Sequence, residues 1–384
     1  MKPSANIRTG RVERALLVQV ICGRWSREEA ADSLQELERL ADTAGAEVVG
    51  SVTQKRERPT PSLFVGEGKL AEIQLACQRA KALVIIFDNE LSSVQVNNLD
   101  LALGIKVIDR TELILQIFAR RALSAEAQIQ VELAQLQYLL SRIPVSEKQQ
   151  RFQGGIGMRG PGESPLQLRN APMRRRIREL KKKLDAIRQR RERTRSRRPW
   201  PLVSLVGYTN AGKSTLLNAF APDSAYVDDR LFATLDTKTR LVRLSDGRRI
   251  LMTDTVGFIR NLPHGLVASF RSTLDVAAEA DLLLVVVDAG HLRVQDHLQV
   301  VNETLRQIGA HDVPALLLFN KCDAPAARER RSELVQAYPE ALFISALDGT
   351  GLPELDAELM KRLPRWPKSH QWMGGREDAG IEPG

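Results

Sequence analysis

The chain is poor in cysteine and histidine. Its three cysteines, Cys22, Cys77 and Cys322, stand far apart and show no C-x-x-C spacing, so neither a disulfide framework nor a zinc site is expected. The five histidines show no metal-binding or catalytic-triad spacing. These absences argue against a disulfide-rich secreted protein and against the common zinc proteins.

Long apolar segments are also missing. No run approaches the roughly eighteen consecutive apolar residues of a transmembrane helix. Residues 1–10 contain no apolar signal region. We therefore expect a soluble, cytoplasmic protein, and we expect it to be a monomer. The 384 residues are enough for two or three domains with buried cores.

Positive charge is concentrated in one segment. The chain has a net charge of +9, but residues 174–198 alone contain fourteen Lys or Arg and three Asp or Glu, a net charge of +11. Such a run is common on solvated helix faces. It also favours contact with a polyanion, most simply the phosphates of RNA.

Residues 12–110 alternate between strand and helix patterns. Short apolar runs predict strands at 15–21, 46–53, 83–87 and 105–108. Amphipathic stretches predict helices at 27–43, 69–80 and 92–103. This order predicts a small open parallel sheet. The segment Gly66-Glu67-Gly68-Lys69 lacks the spacing of a phosphate-binding loop and the hydroxyl after its lysine, so we interpret it as a turn that begins a helix.

A long helical region follows, with two apolar series that alternate spacings of four and three residues. The series are Ile129, Leu133, Leu136, Leu140 and Ile143, and then Met173, Ile177, Leu180, Leu184 and Ile187. They predict an antiparallel helical hairpin whose tip, residues 144–172, contains a glycine-rich stretch at 154–162. Such a tip is typical of a flexible linker. Its arginines, at the end of a basic hairpin, also suit insertion into folded RNA.

The segment Gly207-Tyr208-Thr209-Asn210-Ala211-Gly212-Lys213-Ser214 has the spacing G-x-x-x-x-G-K-[ST] of a phosphate-binding loop (P-loop). It follows an apolar strand at 201–206 and precedes a helix at 214–220. Backbone N–H groups and the helix dipole face an anion in such a loop. Lys213 is expected to reach the β- and γ-phosphates, and the Ser214 hydroxyl to ligate Mg²⁺.

A second segment, Asp254-Thr255-Val256-Gly257, ends a predicted strand at 249–253. Asp254 can hold Mg²⁺ through water, and the Gly257 N–H can contact the γ-phosphate. This pattern alone is usually a simple turn. Its position downstream of a P-loop makes it informative.

Two further segments indicate the base. Asn320-Lys321-Cys322-Asp323 follows an apolar strand at 313–319, and Ser345-Ala346-Leu347 follows residues 341–344. The Asp323 carboxylate can accept hydrogens from N1 and the 2-amino group of guanine, a pair that adenine does not offer. Asn320 is expected to tie this segment to the P-loop, the Lys321 stem to cover the base, and the Ala346 N–H to donate to guanine O6. An ATPase is therefore disfavoured.

Between these motifs, residues 231–237 occupy the place of a switch loop. A threonine there can ligate Mg²⁺ and contact the γ-phosphate, and Thr234 is the first candidate, with Thr237 the alternative. We predict catalytic roles for Lys213, Thr234 and Gly257, and metal ligation by Ser214 and Thr234. The predicted nucleotide-binding residues are Gly207, Tyr208, Thr209, Asn210, Ala211, Gly212, Lys213, Ser214, Thr215, Phe232, Ala233, Thr234, Leu235, Asp236, Asp254, Thr255, Val256, Gly257, Asn320, Lys321, Cys322, Asp323, Ser345, Ala346 and Leu347.

The C-terminal half therefore predicts a GTP-binding domain with a doubly wound, mainly parallel α/β sheet and its ligand at the carboxyl ends of the strands. The predicted organisation is a small α/β domain at 1–110, the helical hairpin with a basic second helix at 111–198, the GTP-binding domain at 199–363 and a disordered tail at 364–384.

Several of these segments together resemble the HflX family of GTPases. They are Phe64-Val65-Gly66-Glu67-Gly68-Lys69, Arg159-Gly160-Pro161-Gly162-Glu163, the P-loop, Phe232-Ala233-Thr234-Leu235-Asp236 and Asp254-Thr255-Val256-Gly257-Phe258. The resemblance covers about residues 12–363. It implies a cytoplasmic GTPase that binds GTP and GDP, contacts RNA of the large ribosomal subunit with its hairpin, and splits or rescues stalled ribosomes.

No residue is an obvious candidate for the group that orients the attacking water. Many small GTPases place a water-orienting glutamine after the glycine of the second motif, but Phe258 stands there and offers no polar atom. We therefore predict slow intrinsic hydrolysis that a partner stimulates. Asn210 can ligate a K⁺ ion that takes the place of an arginine finger, or it can simply form hydrogen bonds within the P-loop. An alternative function is that of a GTP-gated regulator that binds free RNA rather than ribosomes.

Overall fold

The computed structural model describes residues 13–23, 25–142, 165–195, 198–221, 231–232, 236–260 and 271–363. Three segments singled out in the sequence lie outside these residues. They are the glycine-rich stretch at 154–162, Ala233-Thr234-Leu235 of the switch loop and the tail at 364–384.

The N-terminal sheet contains β1 (Glu13–Cys22), β2 (Ala46–Arg56), β3 (Val84–Phe87) and β4 (Lys106–Asp109). Its strand order is β2-β1-β3-β4, and every pairing is parallel. Successive β1 residues point to opposite faces, so Leu17 joins one apolar cluster and Leu16 another. Because both faces of the sheet are covered, the inner strand β3 is a continuous apolar run, whereas the edge strand β2 carries polar residues. The predicted open parallel sheet is confirmed.

Four helices cover this sheet. They are α1 (Arg27–Thr43) and α4 (Arg110–Arg121) on one face, and α2 (Glu67–Ala80) and α3 (Ser93–Leu103) on the other. A capping box of Ser26 and Glu29 begins α1. Gly66 is the N-cap of α2, which confirms that the glycine segment there is a helix start.

The hairpin is formed by α5 (Ala125–Ser141) and α6 (Pro165–Arg195). The two predicted apolar series meet in one cluster, in which Leu133, Ile177 and Leu180 are buried. Helix α6 begins before the predicted end of the tip at Pro172, so the expectation of a loop up to that residue is wrong for residues 165–172. Pro165 suits a first helical position because no intrahelical partner awaits its missing N–H.

The second sheet contains strands in the order β10-β9-β8-β5-β7-β6. All pairings are parallel except that between β6 and β7. The predicted doubly wound, mainly parallel sheet is therefore confirmed. Its strands are β5 (Leu202–Gly207), β6 (Lys238–Arg243), β7 (Arg249–Asp254), β8 (Leu282–Asp288), β9 (Ala315–Asn320) and β10 (Leu342–Phe343).

Helices flank this sheet and leave the carboxyl ends of β5, β7, β8 and β9 at one edge. Because parallel strands point the same way, their final residues Gly207, Asp254, Asp288 and Asn320 come together there. The helices are α7 (Lys213–Phe220), α8 (Arg271–Ala278), α9 (Val294–Gln307), α10 (Pro325–Ala337) and α11 (Leu352–Arg362).

One apolar cluster runs from the N-terminal sheet into the second sheet. It contains Leu17 of β1 and Phe118 of α4 from the N-terminal domain, and Phe232, Phe258 and Val285 from the GTP-binding domain. The two domains thus share one apolar core. No helix in the described part of the chain is long and apolar enough to cross a bilayer.

The packing of the hairpin can be tested at Leu180, because its side chain is 0 % exposed. We expect Leu180→Ala to destabilise the hairpin by about 2–5 kcal/mol, because it removes packed methyl groups and leaves a cavity. Hydrogen exchange of the α5 and α6 amides, with urea unfolding, measures this. The exposed Lys182 supplies the control, and Lys182→Ala should change stability by about 0.5 kcal/mol or less. Equal protection in the two variants would contradict the packing assigned to α6.

Candidate functional site

The P-loop joins the end of β5 to the start of α7 and approaches its neighbours closely. Gly207 has a φ of 150°, and a Cβ there would lie 2.1 Å from the Val286 carbonyl oxygen. Gly212 has a φ of 91°, and a Cβ there would lie 2.2 Å from Asn320 Nδ2. Both positions therefore require glycine, which lets the loop lie directly against β8 and β9.

Lys213 lies inside this loop and is 6 % exposed. Its Nζ donates to the carbonyl oxygens of Gly207 at 3.1 Å and Tyr208 at 2.8 Å. Burial lowers the pKa of Lys213 to about 8, against the opposing influence of the Asp254 carboxylate. A bound phosphate group would favour the charged form of Lys213. The position of this lysine therefore suits the binding of an anion.

Asp254 ends β7 beside the P-loop and is fully buried. Its Oδ2 accepts a 2.6 Å hydrogen bond from the Ser214 hydroxyl. These two oxygens are hard ligands of the kind that Mg²⁺ prefers, and they fit a magnesium ion that is completed by phosphate oxygens and water. The described residues contain no cluster of three or more His, Cys, Asp or Glu that could cage a metal. A bound Mg²⁺ ion usually keeps several waters and few protein ligands, and Ser214 with Asp254 fits that pattern.

The segment after Asp254 packs onto the P-loop. The Phe258 N–H donates to the Gly207 oxygen at 3.1 Å, and the Thr209 N–H donates to the Phe258 oxygen at 2.8 Å. A Cβ on Gly257 would lie 2.8 Å from Thr209 Cα and 3.1 Å from Lys213 Nζ. The Gly257 backbone therefore lies beside Lys213, the lysine that is predicted to bind phosphate. The Phe258 side chain is 2 % exposed and belongs to the core.

Asn320 connects the base-side segments to the P-loop, as predicted. Its Nδ2 donates to the Ala211 oxygen at 2.8 Å, and its Oδ1 accepts from the Ala346 N–H at 2.9 Å. The Ala346 N–H, expected to donate to guanine O6, is thus hydrogen-bonded to Asn320 in this arrangement. Its contact with the base stays a prediction.

Two contacts orient the neighbouring base-side residues. Lys321, at a φ of 63°, pairs with Asp288 at 2.8 Å. The Asp323 Oδ1 accepts a 2.7 Å hydrogen bond from the Ser345 hydroxyl. The carboxylate predicted to select guanine is therefore held at the same sheet edge as the P-loop.

The switch-loop residues on either side of Ala233-Thr234-Leu235 contact α4 and the start of α5. The Phe232 ring packs edge-on against Phe118 of α4, with the ring centroids 4.7 Å apart. Asp236 Oδ2 accepts from the N–H groups of Leu123 and Ser124 at 3.0 Å each. The predicted contacts of Phe232 and Asp236 with the nucleotide stay predictions, as does that of Thr234.

The remaining predicted residues fall at the same edge with different exposure. Thr215 lies in the first turn of α7, and Val256 is 6 % exposed. Cys322 is half-buried, and its N–H donates to the Ile344 oxygen. Leu347 is 81 % exposed. Thr255 is buried, and its hydroxyl donates to the Leu205 oxygen at 2.7 Å.

The sequence did not reveal three residues that organise the site. The sequence pattern around Asp288, which pairs with Lys321, could have indicated it, since Asp288 follows an apolar strand at the same sheet edge. No sequence pattern indicates Glu36 or Arg110, because they come from the N-terminal domain and no local pattern links them to the P-loop. Glu36 Oε1 accepts a 2.8 Å hydrogen bond from the Tyr208 hydroxyl, and Arg110 pairs with Glu36 at 3.0 Å.

Models of known protein families match most of the chain. Residues 31–119 match the family model described as GTP-binding GTPase N-terminal, and residues 121–198 match GTP-binding GTPase Middle Region. Residues 202–321 match the model described as 50S ribosome-binding GTPase.

Full-length relatives agree with these matches. GTPase HflX of Caldanaerobacter subterraneus subsp. tengcongensis is 44 % identical over 359 residues, which cover 91 % of this chain and 81 % of the relative. GTPase HflX of Escherichia coli is 43 % identical over 356 residues, which cover 91 % of this chain and 83 % of the relative. The chain belongs to the HflX family of GTPases. It is accordingly an enzyme that binds GTP and hydrolyses it to GDP and phosphate.

A solved structure is also similar. It is that of a GTP-binding protein from Sulfolobus solfataricus in complex with GDP, at 26 % identity and a TM-score of 0.46. The match covers 91 % of this chain and 98 % of that one.

The pKa of Lys213 predicts how nucleotide affinity depends on pH. Phosphate binds the charged lysine, so affinity should be constant below pH 8 and fall by about tenfold per pH unit above it. Titrations with a fluorescent GDP analogue between about pH 7 and about pH 9 measure this. Lys213→Arg keeps its charge throughout and should show a flat profile, even if it binds more weakly. A flat profile for the wild-type protein would refute the assignment.

Asp323 predicts the choice of base. Asp323→Asn should weaken GTP binding by at least about 10²-fold, because two charge-assisted hydrogen bonds are lost. It should improve the binding of xanthosine triphosphate, whose 2-oxygen accepts from the new amide. Competition against a fluorescent nucleotide measures both. Asp312, whose side chain is 89 % exposed, provides the matched control Asp312→Asn. Unchanged GTP binding in Asp323→Asn would contradict the base-selecting role.

Proposed function

We propose that this HflX-family GTPase binds the large ribosomal subunit and couples GTP binding and hydrolysis to the splitting or rescue of stalled ribosomes. The observation that carries the proposal is a strongly basic helix, α6, that leads directly into a domain matching the 50S ribosome-binding GTPase model. On this proposal the protein acts in the cytoplasm and as a monomer.

The face that α6 presents to solvent supports RNA as the partner. Its apolar side packs on α5, while Arg176 is held by Glu132 through two hydrogen bonds of 2.7 and 2.9 Å. The outward side chains are cationic and suit phosphate contacts. The exposed ones include Arg174, Arg178, Lys181, Lys182 and Lys183.

Contacts of the switch loop support the coupling. Phe232 packs on α4, and Asp236 receives hydrogen bonds at the start of α5, where Ser124 is the N-cap. A carboxylate is favoured at a helix N-terminus because it satisfies exposed N–H groups and complements the dipole. A rearrangement of this loop with GTP would therefore act directly on the hairpin.

In hydrolysis, the described residues perform two tasks. Lys213 and the Gly257 N–H would bind the γ-phosphate, and Ser214 and Asp254 would hold Mg²⁺, which would supply charge neutralisation. Thr234 is proposed as a further magnesium ligand. The orientation of water is left to a partner because Phe258 is buried and apolar. Intrinsic hydrolysis is therefore slow, and the ribosome stimulates it.

Asn210 is a candidate K⁺ ligand. It is exposed in the P-loop at a φ of 59°, and its amide oxygen is a hard donor. Turnover in potassium and in sodium buffers decides its role. A rate several-fold higher in potassium would identify an ion, and equal rates would leave Asn210 with a hydrogen-bonding role.

Sedimentation tests the ribosomal proposal. With a non-hydrolysable GTP analogue, the protein should move with the large subunit, and large subunits should raise its turnover. A variant with Arg178, Lys181 and Lys182 changed to Ala should bind at least tenfold more weakly at moderate salt, with a shallower salt dependence. A control changes the exposed Arg306 and Arg328 to Ala.

The outcomes separate the proposal from its alternative. Absence from the large-subunit fraction, with equal turnover with and without subunits, would overturn the ribosomal role. Binding of free RNA that depends on GTP would then favour the alternative, a GTP-gated RNA regulator, to which the same basic helix is suited. The position of the free protein in the gradient checks whether it is a monomer.

A further inference from the structure

Helix α1 of the N-terminal domain presents one stripe of polar residues to the nucleotide site. Asp32, Gln35, Glu36 and Arg39 line a cavity together with the P-loop residues Tyr208 to Ala211. Their spacing of three, one and three residues places them on the same helix face, and Thr43 continues that face by one turn.

Three members of this stripe anchor α1 to the GTP-binding domain. Asp32 pairs with Arg293 at 3.0 Å. Glu36 accepts from the Tyr208 hydroxyl at 2.8 Å, and the Thr43 hydroxyl accepts from the Leu231 N–H at 3.3 Å. The anchors lie on both sides of Arg39 along the helix. The helix backbone at Arg39 is therefore fixed beside the P-loop, and its exposed side chain lines the cavity.

The Glu36 anchor is firm because it is part of a buried ionic cluster. Arg110 is 2 % exposed and pairs with Glu36 at 3.0 Å and with Asp88 at 2.7 Å. Burial lowers the pKa of Arg110, but the two carboxylates more than offset this and the net pKa is raised. Burial and the nearby Glu36 also raise the pKa of Tyr208, so that its hydroxyl keeps the proton it donates.

Arg39 differs from the other arginines around this cavity. Arg260 and Arg293 are both paired with Asp296. Within the described ranges, no carboxylate lies at ion-pair distance from the Arg39 guanidinium. Burial is the main cause that lowers the pKa of His291, which also lines the cavity; Asp288 and Asp32 oppose this, and Arg39 adds a smaller lowering.

A second observation shows that this cavity is suited to a polar ligand group. Thr209 is 7 % exposed and lines the cavity, and its Oγ1 has no hydrogen-bond partner among the residues that the structure describes. A buried hydroxyl without a hydrogen-bond partner is unfavourable. A phosphate oxygen or the attacking water would satisfy it, and Gly257 and Lys213 lie beside the same residue.

We propose that Arg39 acts as an arginine finger supplied by the N-terminal domain of the same chain. In hydrolysis, the water oxygen forms a bond to the γ-phosphorus while the bond from phosphorus to the bridging oxygen breaks. The electron pair goes to the β-phosphate, and the proton of the water leaves with inorganic phosphate. The guanidinium keeps its own protons and stabilises the charge that develops on the bridging and γ-oxygens.

Arg39 and a K⁺ ion on Asn210 would compete for one role. On this proposal both cations would act on the γ-phosphate from the cavity that Arg39 and Asn210 line together, and two positive charges close to each other repel. With Arg39 in place, the wild-type rate should be the same in potassium and in sodium. Arg39 does not orient water, so its contribution is independent of the ribosome.

Arg39→Ala, measured without ribosomes, tests the proposal. Single-turnover hydrolysis should fall at least tenfold, towards the roughly 10³-fold typical of arginine fingers, while the Kd for GDP changes less than twofold. The GDP–aluminium fluoride complex, which mimics the transferred phosphoryl group, should no longer form. Arg27→Ala is the control because Arg27 lies on the same helix outside the cavity.

Two further measurements separate catalysis from structure. Added guanidinium ion should restore part of the rate to Arg39→Ala, and Arg39→Lys should keep part of it, since a lysine retains the charge but not the fork of donors. An unchanged rate in Arg39→Ala would overturn the proposal. So would a loss of GDP binding equal to the loss of rate, or a lower melting temperature with no rescue by guanidinium.

Discussion

The buried guanidinium of Arg110 is the interaction on which the arrangement of the nucleotide site depends. It lies between Glu36 and Asp88, and its second terminal nitrogen also donates to the Arg260 oxygen at 3.3 Å. An arginine in such a position is tolerated only when its charge is matched, and removal of one partner would leave an uncompensated buried charge. Glu36 is thereby fixed, and through it Tyr208, whose hydroxyl also accepts from the Arg260 N–H at 2.7 Å. One cluster thus aligns α1, the P-loop and the segment that follows Gly257.

The same packing offers a physical route for the proposed coupling between the nucleotide and the hairpin. Phe232 and Asp236 stand on either side of the proposed magnesium ligand Thr234 in the sequence, and both contact the helices that lead into the hairpin. The apolar contact with Phe118 and the polar contacts with Leu123 and Ser124 fix both flanks of the loop at once. On the proposed function, a loop that moves on binding GTP would disturb at least one of these contacts. The hairpin would then respond mechanically to GTP.

Patterns local in sequence predicted most of the fold and the phosphate and base segments. Apolar runs located the strands, and the order of motifs placed Asp254 and Asn320 at the edge where β7 and β9 end. The prediction of a glycine-rich tip up to residue 172 was wrong for residues 165–172, because that part contains no glycine and begins α6. Contacts between domains could not be predicted, since Glu36 and Tyr208 are separated by 172 positions and Glu36 carries no local signal. Such pairs are specified by the packing of two domains around a shared core, which no spacing rule encodes.

Phe258 explains why the catalytic tasks are divided. Its backbone pairs with Gly207 and Thr209 on both sides, and its side chain is packed in the core shared by the two sheets. A glutamine at this position would bury an amide among apolar groups at a cost of a few kcal/mol, so the position serves packing rather than the orientation of water. On the proposed function, charge neutralisation is built into the chain because α1 is anchored beside the P-loop. The orientation of water would then come from a surface that is present only after docking. A GTPase built in this way would keep its GTP until its partner arrives, which suits the ribosomal role proposed for it.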